Sequence, residues 1–599
     1  MSHLPQRIAD LDLASLCREG GHFPSPESWQ DQSLYFLLID RFSDGDEQTA
    51  DAPRGSTPLA KKTDRGNAFG DDASAERWRK AGSGYVGGTL AGIRSKLGYL
   101  QRLGVTALWI SPVLKQAGLS SYHGYATQDF LRVEPRLGTQ EDLRDLCADA
   151  HEQGLRVVLD VVINHAANVF SYEEGGTWTG EEFPVKGWND AQGGPTIPFE
   201  REATDDREAA VWPLELQDPA AFHRKRSIGD WDRDPEFREG DFFDLKDFDH
   251  GTGGLEDYQP SDALRALTEA YKYWIAFADL DGFRVDTVKH MDPGATRFFV
   301  DEIRAFAESL GKSDFFIVGE VTGGRGFALD LAHKTGLDAA LGICGEPSLL
   351  ASSVRGESDP SEFFDLFPEE SPDDTGKYSG HTVSIVDDHD QVCRGAKARF
   401  ASDPVGAKLA LAAQALNVLT LGVPCVYYGS EQGFDGAGDG HDAERFIRES
   451  MFGGEFGAFG SRCVHYFDES SEGFRGFSAL LHLRQEDVAL RRGHQFLRET
   501  SGDGEGFGLP TLVGEEPMHA VVAWSRVYEG KETLVAINTD PENTTRAWVT
   551  IDGTLHQEGD ELRCTYCPGD EQPCRVKVEA RNGLAISVTL PPGGVAVYR

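Results

Sequence analysis

Short apolar runs recur along the chain at the spacing of a strand–helix repeat, and most end in a polar or charged residue. They read "LYFLLI" (34–39), "VTALWI" (105–110), "RVVLDVVI" (156–163), "FFIVGE" (315–320), "TVSIVDD" (382–388) and "PCVYYG" (424–429). Runs that are apolar on both faces fit parallel strands covered on both sides. Helical patterns separate them. "GIRSKLGYLQRLG" (92–104) carries apolar residues at helical spacing and ends in Gly104, and "TQEDLRDLCADAHEQGL" opens on Thr139 as an N-cap. The stretch "DGFRVDTVKHM" (281–291) supplies another strand, and the least distinct one falls near "LDAALGI" (337–343). About eight such units predict a closed (β/α)8 TIM barrel, α/β in class, rather than an open sheet.

Two segments break the rhythm. Residues 166–245 lack a βα period and hold Trp178, Trp188, Trp212 and Trp231, so they are expected to form a domain inserted after the third strand. Each of these tryptophans would either stack on a sugar or fill a core. Residues 45–82 are polar and are expected to be a surface excursion. After the helical stretch "FSALLHLRQEDVALRRG" (477–493) the pattern turns to β, with "HAVVAWSRVYEG" and "ETLVAINTD" as a hairpin pair. The expected organisation is an N-terminal extension (1–30), a barrel (31–165 and 246–493), the inserted domain (166–245) and a C-terminal β-sandwich (494–599).

Charge narrows the partners. With 58 Lys and Arg against 99 Asp and Glu, the net charge is −41, which disfavours nucleic acid and anionic membrane surfaces. Such a surface suits either a high-salt cytoplasm or an ordinary soluble acidic enzyme. The N-terminal "MSHLPQRIADLDLASLCREGG" lacks the pattern of a signal peptide, and no run is long enough to span a bilayer. The expectation is a cytoplasmic protein with its nine cysteines as free thiols. Cys564, Cys567 and Cys574 form one cluster; zinc would need a fourth ligand, and His556 is the only close imidazole. A redox pair is another reading, and a plain loop with thiols is the expected one.

Barrel active sites lie at the C-terminal strand ends. There the sequence places Asp160, Asn164 and His165, then Arg284 and Asp286, then Glu320, then Asp388, His389 and Asp390. Retaining glycoside hydrolysis uses two carboxyl groups about 5–5.5 Å apart, one nucleophile and one acid. Adjacent strands lie about 4.7–4.9 Å apart, so Asp286 and Glu320 on neighbouring strands suit that pair. Arg284, two residues before Asp286, points to the same face and is expected to keep it ionised. The apolar run before Glu320 and a nearby anion are expected to keep Glu320 protonated.

The segments "DVVINH" (160–165), "GFRVDTVKH" (282–290), "IVGEV" (317–321) and "IVDDHD" (385–390) resemble, in order and spacing, the four short conserved regions of the α-amylase family, glycoside hydrolase family 13. "GVTALWISPV" (104–113), "YHGYATQDF" (122–130), "LKDFD" (245–249) and "GVPCVYYGSEQ" (422–432) extend the likeness over roughly residues 30–490. The resemblance implies a retaining double displacement on α-glucosidic bonds of an α-glucan or maltooligosaccharide. Asp286 would be the nucleophile, Glu320 the acid/base, and Asp390 the stabiliser of the distorted sugar. Arg284 would orient Asp286. His165 and His389 would contact hydroxyls, Tyr125 would stack under the ring with His123 beside it, and Lys289 and His290 would face the leaving-side sugar. It also implies a structural Ca²⁺ on Asn164, Asp247 and the His290 carbonyl. "DRFSDGDE" (40–47) resembles a second calcium loop through Asp40, Asp44 and Asp46, or is simply an acidic turn. Asp388 departs from the family's usual Asn, and this extra carboxylate would raise nearby pKa values or alter the site's shape. The motifs fit an α-amylase-like hydrolase and an α-glucan transglycosylase alike; an inactive binding homologue is disfavoured because Asp286, Glu320 and Asp390 are all present.

Overall fold

The computed structural model describes residues 5–16, 21–47, 59, 73, 80–118, 120–343, 345–366, 382–391, 397–437, 443–452, 464–566 and 575–599. Eight strands form the central sheet: β1 (Leu34–Leu37), β2 (Ala107–Ile110), β3 (Arg156–Val161), β4 (Gly282–Val285), β5 (Phe316–Gly323), β6 (Ala339–Ile343), β7 (Val383–Ile385) and β8 (Val423–Tyr427). They pair in parallel in the order β6–β5–β4–β3–β2–β1–β8–β7. A parallel bridge between Ala340 and Thr382 joins the two ends, so the sheet closes as a barrel. β1, β2 and β8 are buried at every residue, which is why their sequences are apolar without alternation. Phe36 and Trp109 stack inside, with ring centroids 3.7 Å apart.

Helices wrap the outside. Asp262–Ala278 starts on Ser261, whose side chain accepts from Leu264 N–H, and buries Leu264, Leu267, Tyr271 and Trp274. Gln140–Glu152 starts on a capping box between Thr139 and Asp142. The helix expected over 92–104 breaks at Lys96, whose ammonium pairs with buried Glu47 at 2.9 Å. The helical stretch expected over 477–493 also divides, into Glu472–Glu486 and Val488–Arg492. Asp487 between them is extended and turns its carboxylate to Ala489 N–H.

The segment between β3 and the helix at Asp262 opens with an antiparallel rung, His165–Ala166 against Lys246–Asp247. Inside it Trp188 is fully buried against Phe170, Phe199 and Phe222, and Trp212 is fully buried too. These two are core residues. Trp178 lies under Arg233, and Trp231 stands near the barrel rim.

Beyond residue 493 all paired strands are antiparallel, in a six-stranded and a three-stranded sheet. The expected hairpin is Val521–Tyr528 with Lys531–Asn538. Its two turn residues, Glu529 and Gly530, both have positive φ, the geometry that matches strand twist. Near the other terminus, Trp29 stacks on Phe316 at 4.6 Å and Phe23 on His151 at 4.1 Å.

Cys147 and Cys425 are buried free thiols, but Cys564 is disulfide-bonded, which corrects the free-thiol expectation for that residue. That expectation came from a compartment argument, which says nothing about whether a second sulfur stands within bonding reach. Cys567, Cys574 and most of 45–82 lie outside the described residues. Among the described residues, no helix is long and apolar enough to cross a membrane.

Candidate active site

Register brings the first group together. Arg284 pairs with Asp160 across β4–β3, and Val285 with Gly319 across β4–β5. Asp286 and Glu320 are therefore the next residues out on neighbouring strands. Arg284 is buried and meets three carboxylates at once: Nη1 lies 3.0 Å from Asp160 Oδ1 and 2.7 Å from Asp286 Oδ1, and Nη2 lies 3.0 Å from Glu320 Oε2. Thr287 N–H also donates to Glu320, at 3.1 Å.

Burial raises the Glu320 carboxyl to about 7, with Asp286 and Asp390 adding to the effect and Arg284 opposing it. Asp286 was expected to be held ionised by Arg284. Burial carries it up to about 6, with Arg284 pulling down as expected and Asp160 pushing up. One guanidinium is shared among three anions, so it cannot depress any of them as a dedicated partner would. Asp390 is held well below the usual carboxylate range: burial raises it, but His389, Arg448 and Lys397 together outweigh burial.

The donor-side wall is aromatic. Tyr125 donates to Asp160 Oδ2 at 2.8 Å and stacks between His389 (5.4 Å) and His123 (5.7 Å). Its N–H donates to His123 Nδ1, and its carbonyl meets His165 Nε2 at 3.1 Å. Burial keeps His123, His165 and His389 neutral, at about 3, 4 and 3. His389 Nδ1 is buried and makes no hydrogen bond among the described residues, while Nε2 lies 3.0 Å from Asp390 Oδ2.

Asp388 does not crowd this site. Its Oδ1 accepts from Asp390 N–H at 2.7 Å and from Gln391 N–H, forming the turn that presents Asp390. An asparagine oxygen accepts in the same way, so the departure from the family pattern is mild at this atom.

On the other side, Lys289 pairs with exposed Asp232 at 2.7 Å, and His290 Nδ1 donates to the Phe237 carbonyl at 2.7 Å. His290 lies edge-on to Phe242 at 5.2 Å and Trp231 at 5.8 Å. Phe243, with φ of 61°, projects 67% exposed beside Trp231.

The calcium expectations fare differently. Asn164 Oδ1 is buried without a hydrogen-bond partner, a free oxygen donor of the kind Ca²⁺ takes. Asp247 lies on the adjoining rung, its carboxylate meeting His223 Nδ1 at 2.6 Å. Oxygen donors at Asn164, Asp247 and the His290 carbonyl suit such an ion. Asp40, Asp44 and Asp46 are not brought together. Asp40 is buried, accepts from Val86 and Gly87 N–H, and pairs with Arg41, while Asp44 accepts from Asp46 N–H in an acidic turn. Among the described residues no group of three or more His, Cys, Asp or Glu is arranged for a metal ion.

Three features add to the site residues carried over from the family resemblance. Asp160 anchors Tyr125, Arg284 and, at 3.1 Å, Trp109 Nε1. Its place in "DVVINH" was a usable signal. The Trp231–Phe242–Phe243 cluster lies in a segment without periodicity. Arg448, whose Nη2 lies 2.5 Å from Asp390 Oδ1, has no local signal at all.

A parallel eight-stranded barrel with buried carboxylates sharing one arginine at the C-terminal strand ends is the layout of a barrel enzyme. The family model for the alpha amylase catalytic domain matches residues 36–339, about half the chain. The chain belongs to the alpha-amylase family, glycoside hydrolase family 13. It is 28% identical to an alpha-amylase of Streptomyces lividans, over 84% of this chain and 56% of that protein. It is 25% identical to a cyclomaltodextrin glucanotransferase of Klebsiella oxytoca, over 77% of this chain and 66% of that protein. The chain thus spans only about half to two-thirds of these two relatives. The solved structure of CldA, a cyclomaltodextrin glucanotransferase with a three-domain ABC distribution, shares the fold with a TM-score of 0.65 at 24% identity, covering 96% of this chain and 99% of that one.

Proposed function

We propose that the chain is a retaining glycoside hydrolase acting on α-1,4-glucans or maltooligosaccharides. The observation that carries this reading is the buried Arg284 joined to Asp286 and Glu320 on neighbouring strands, with Glu320 raised to about 7 and so able to hold a proton. Asp286 attacks the anomeric carbon as Glu320 gives its proton to the leaving glycosidic oxygen. Glu320, now a carboxylate, removes a proton from an incoming water, whose oxygen displaces Asp286. Asp390 meets hydroxyls of the distorted ring. Tyr125 supports that ring, flanked by His123, His165 and His389, while Lys289 and His290 face the leaving sugar. Asp286→Asn and Glu320→Gln should each lower turnover of soluble starch by at least about 10³-fold; wild-type rates in either would refute the assignment.

A second reading has its own observation. Phe243 places an exposed aromatic face beside Trp231 and near His290. Such a face attracts a sugar acceptor in preference to water, which favours transglycosylation by the same intermediate. Pure maltopentaose decides: products longer than the substrate mean transfer, shorter ones alone mean hydrolysis.

A structural Ca²⁺ would sit on Asn164, Asp247 and the His290 carbonyl, pinning the inserted segment to the barrel. Chelation should then lower the melting temperature of the wild type but not of Asp247→Asn. An unchanged wild-type melting temperature would remove the ion from the account. The disulfide on Cys564 favours an oxidising compartment.

A further inference from the structure

Arg448 follows the short turn Ala443–Ile447 and belongs to none of the motifs at the strand ends. Its side chain is buried yet reaches two other loops. Nη2 lies 2.5 Å from Asp390 Oδ1, Nε donates to the His389 carbonyl at 2.9 Å, and Nη1 lies 3.5 Å from the Tyr122 hydroxyl. The Tyr122 ring in turn lies under the Arg41 guanidinium at 3.7 Å and edge-on to His123 at 5.5 Å. One planar fork therefore ties the loop after β7, the segment after β8 and the loop carrying His123 and Tyr125. A fork of this shape fixes orientation as well as charge.

Asp390 needs such fixing. Its side chain is 32% exposed, against 8% for Asp286 and 14% for Glu320. It stands on a turn, not on a strand, so backbone register does not aim it. His389 Nε2 lies 3.0 Å from the other carboxylate oxygen, but burial keeps that imidazole neutral. Among the described residues the Arg448 guanidinium is the permanent charge paired with this carboxylate, while the Lys397 ammonium meets the Asp390 carbonyl. We propose that Arg448 is a positioning residue for the reaction, holding the Asp390 carboxylate against the reacting sugar. The proposal rests on reading Asp390 as the group that stabilises the distorted sugar.

The test is a double-mutant cycle with Arg448→Ala and Asp390→Asn, measuring kcat and KM on maltopentaose and on α-maltosyl fluoride. Arg448→Ala alone should lower kcat by about 10–100-fold with KM within about 3-fold. Low guanidinium in the buffer should recover part of that loss. In the Asp390→Asn background the same change should cost less than about 2-fold, and guanidinium should recover nothing. Equal losses in both backgrounds, or a loss confined to KM, would overturn the proposal. Should Arg448→Ala not fold, Arg448→Lys keeps the charge without the fork. Its kcat should fall in the wild-type background and not in Asp390→Asn, and equal falls would again overturn the idea. Unchanged activity in Asp390→Asn itself would instead sink the role given to Asp390, a separate result.

Discussion

Arg284 touches Asp160, Asp286 and Glu320, and this shared cation opposes the rise that burial gives the two carboxyls. Asp286 is carried to about 6 and Glu320 to about 7, in both cases chiefly by burial. In the proposed mechanism turnover needs Asp286 ionised and Glu320 protonated. The rate should therefore climb as pH rises through the lower value and fall as it rises through the upper one, a narrow bell in kcat/KM near neutrality. Glu320→Gln should abolish the basic limb on a substrate whose leaving group needs no proton; a basic limb that survives there would show that it belongs to a group other than Glu320. Asp388 gives a second prediction at this scale. Because an amide oxygen can accept from Asp390 and Gln391 N–H as this carboxylate does, Asp388→Asn should keep kcat within about 2-fold, while Asp388→Ala should lose on the order of 10-fold. A large loss in Asp388→Asn would mean its negative charge matters. The pairing of Arg284 with Asp286 was legible because period two along a strand is local. The contacts with Asp160 and Glu320 depend on register between strands far apart in sequence.

The helix Glu472–Glu486 carries a different kind of arginine. Arg484 is fully buried and donates to the carbonyls of Val418, Thr420, Leu490, Gln30 and Gly422. Burial pulls it down to about 9, with neighbouring Arg491 adding to the fall. It joins the N-terminal segment, the barrel's underside and the short helix Val488–Arg492. Arg484→Met should leave these carbonyls without a donor and cost roughly 3–5 kcal/mol in denaturant unfolding, with kcat of the folded fraction unchanged. A loss below about 1 kcal/mol would show that water replaces the guanidinium there. In the sequence Arg484 looks like one charge among several on an exposed helix face. The break at Asp487, which turns the chain back over it, is what makes it internal. The barrel strands were easier to read, since burial on both faces demands an apolar run. The inserted segment was not, because its core gathers Phe170, Trp188, Phe199, Phe222 and Phe248 from distant, aperiodic positions.

For the whole molecule, the net charge of −41 is the dominant long-range term. Raising salt from 0.1 to 1 M shortens the screening length from about 10 Å to about 3 Å. Self-repulsion of the folded state should weaken accordingly, so the melting temperature should rise with sodium chloride over that range. A flat or falling curve would mean that local pairs, not net charge, govern stability. The sequence by itself determined the order of the barrel strands, which strand end carries each carboxylate, and the family, because these rest on local periodicity and short motifs. Only the tertiary structure showed that burial lifts both Asp286 and Glu320 while they share Arg284, since these are properties of packing. It alone gave Asp40 to Val86, Gly87 and Arg41 instead of a metal loop, and seated Trp188 and Trp212 in a core. It also brought Arg448 to Asp390 across 58 residues of chain, a contact that no local pattern encodes.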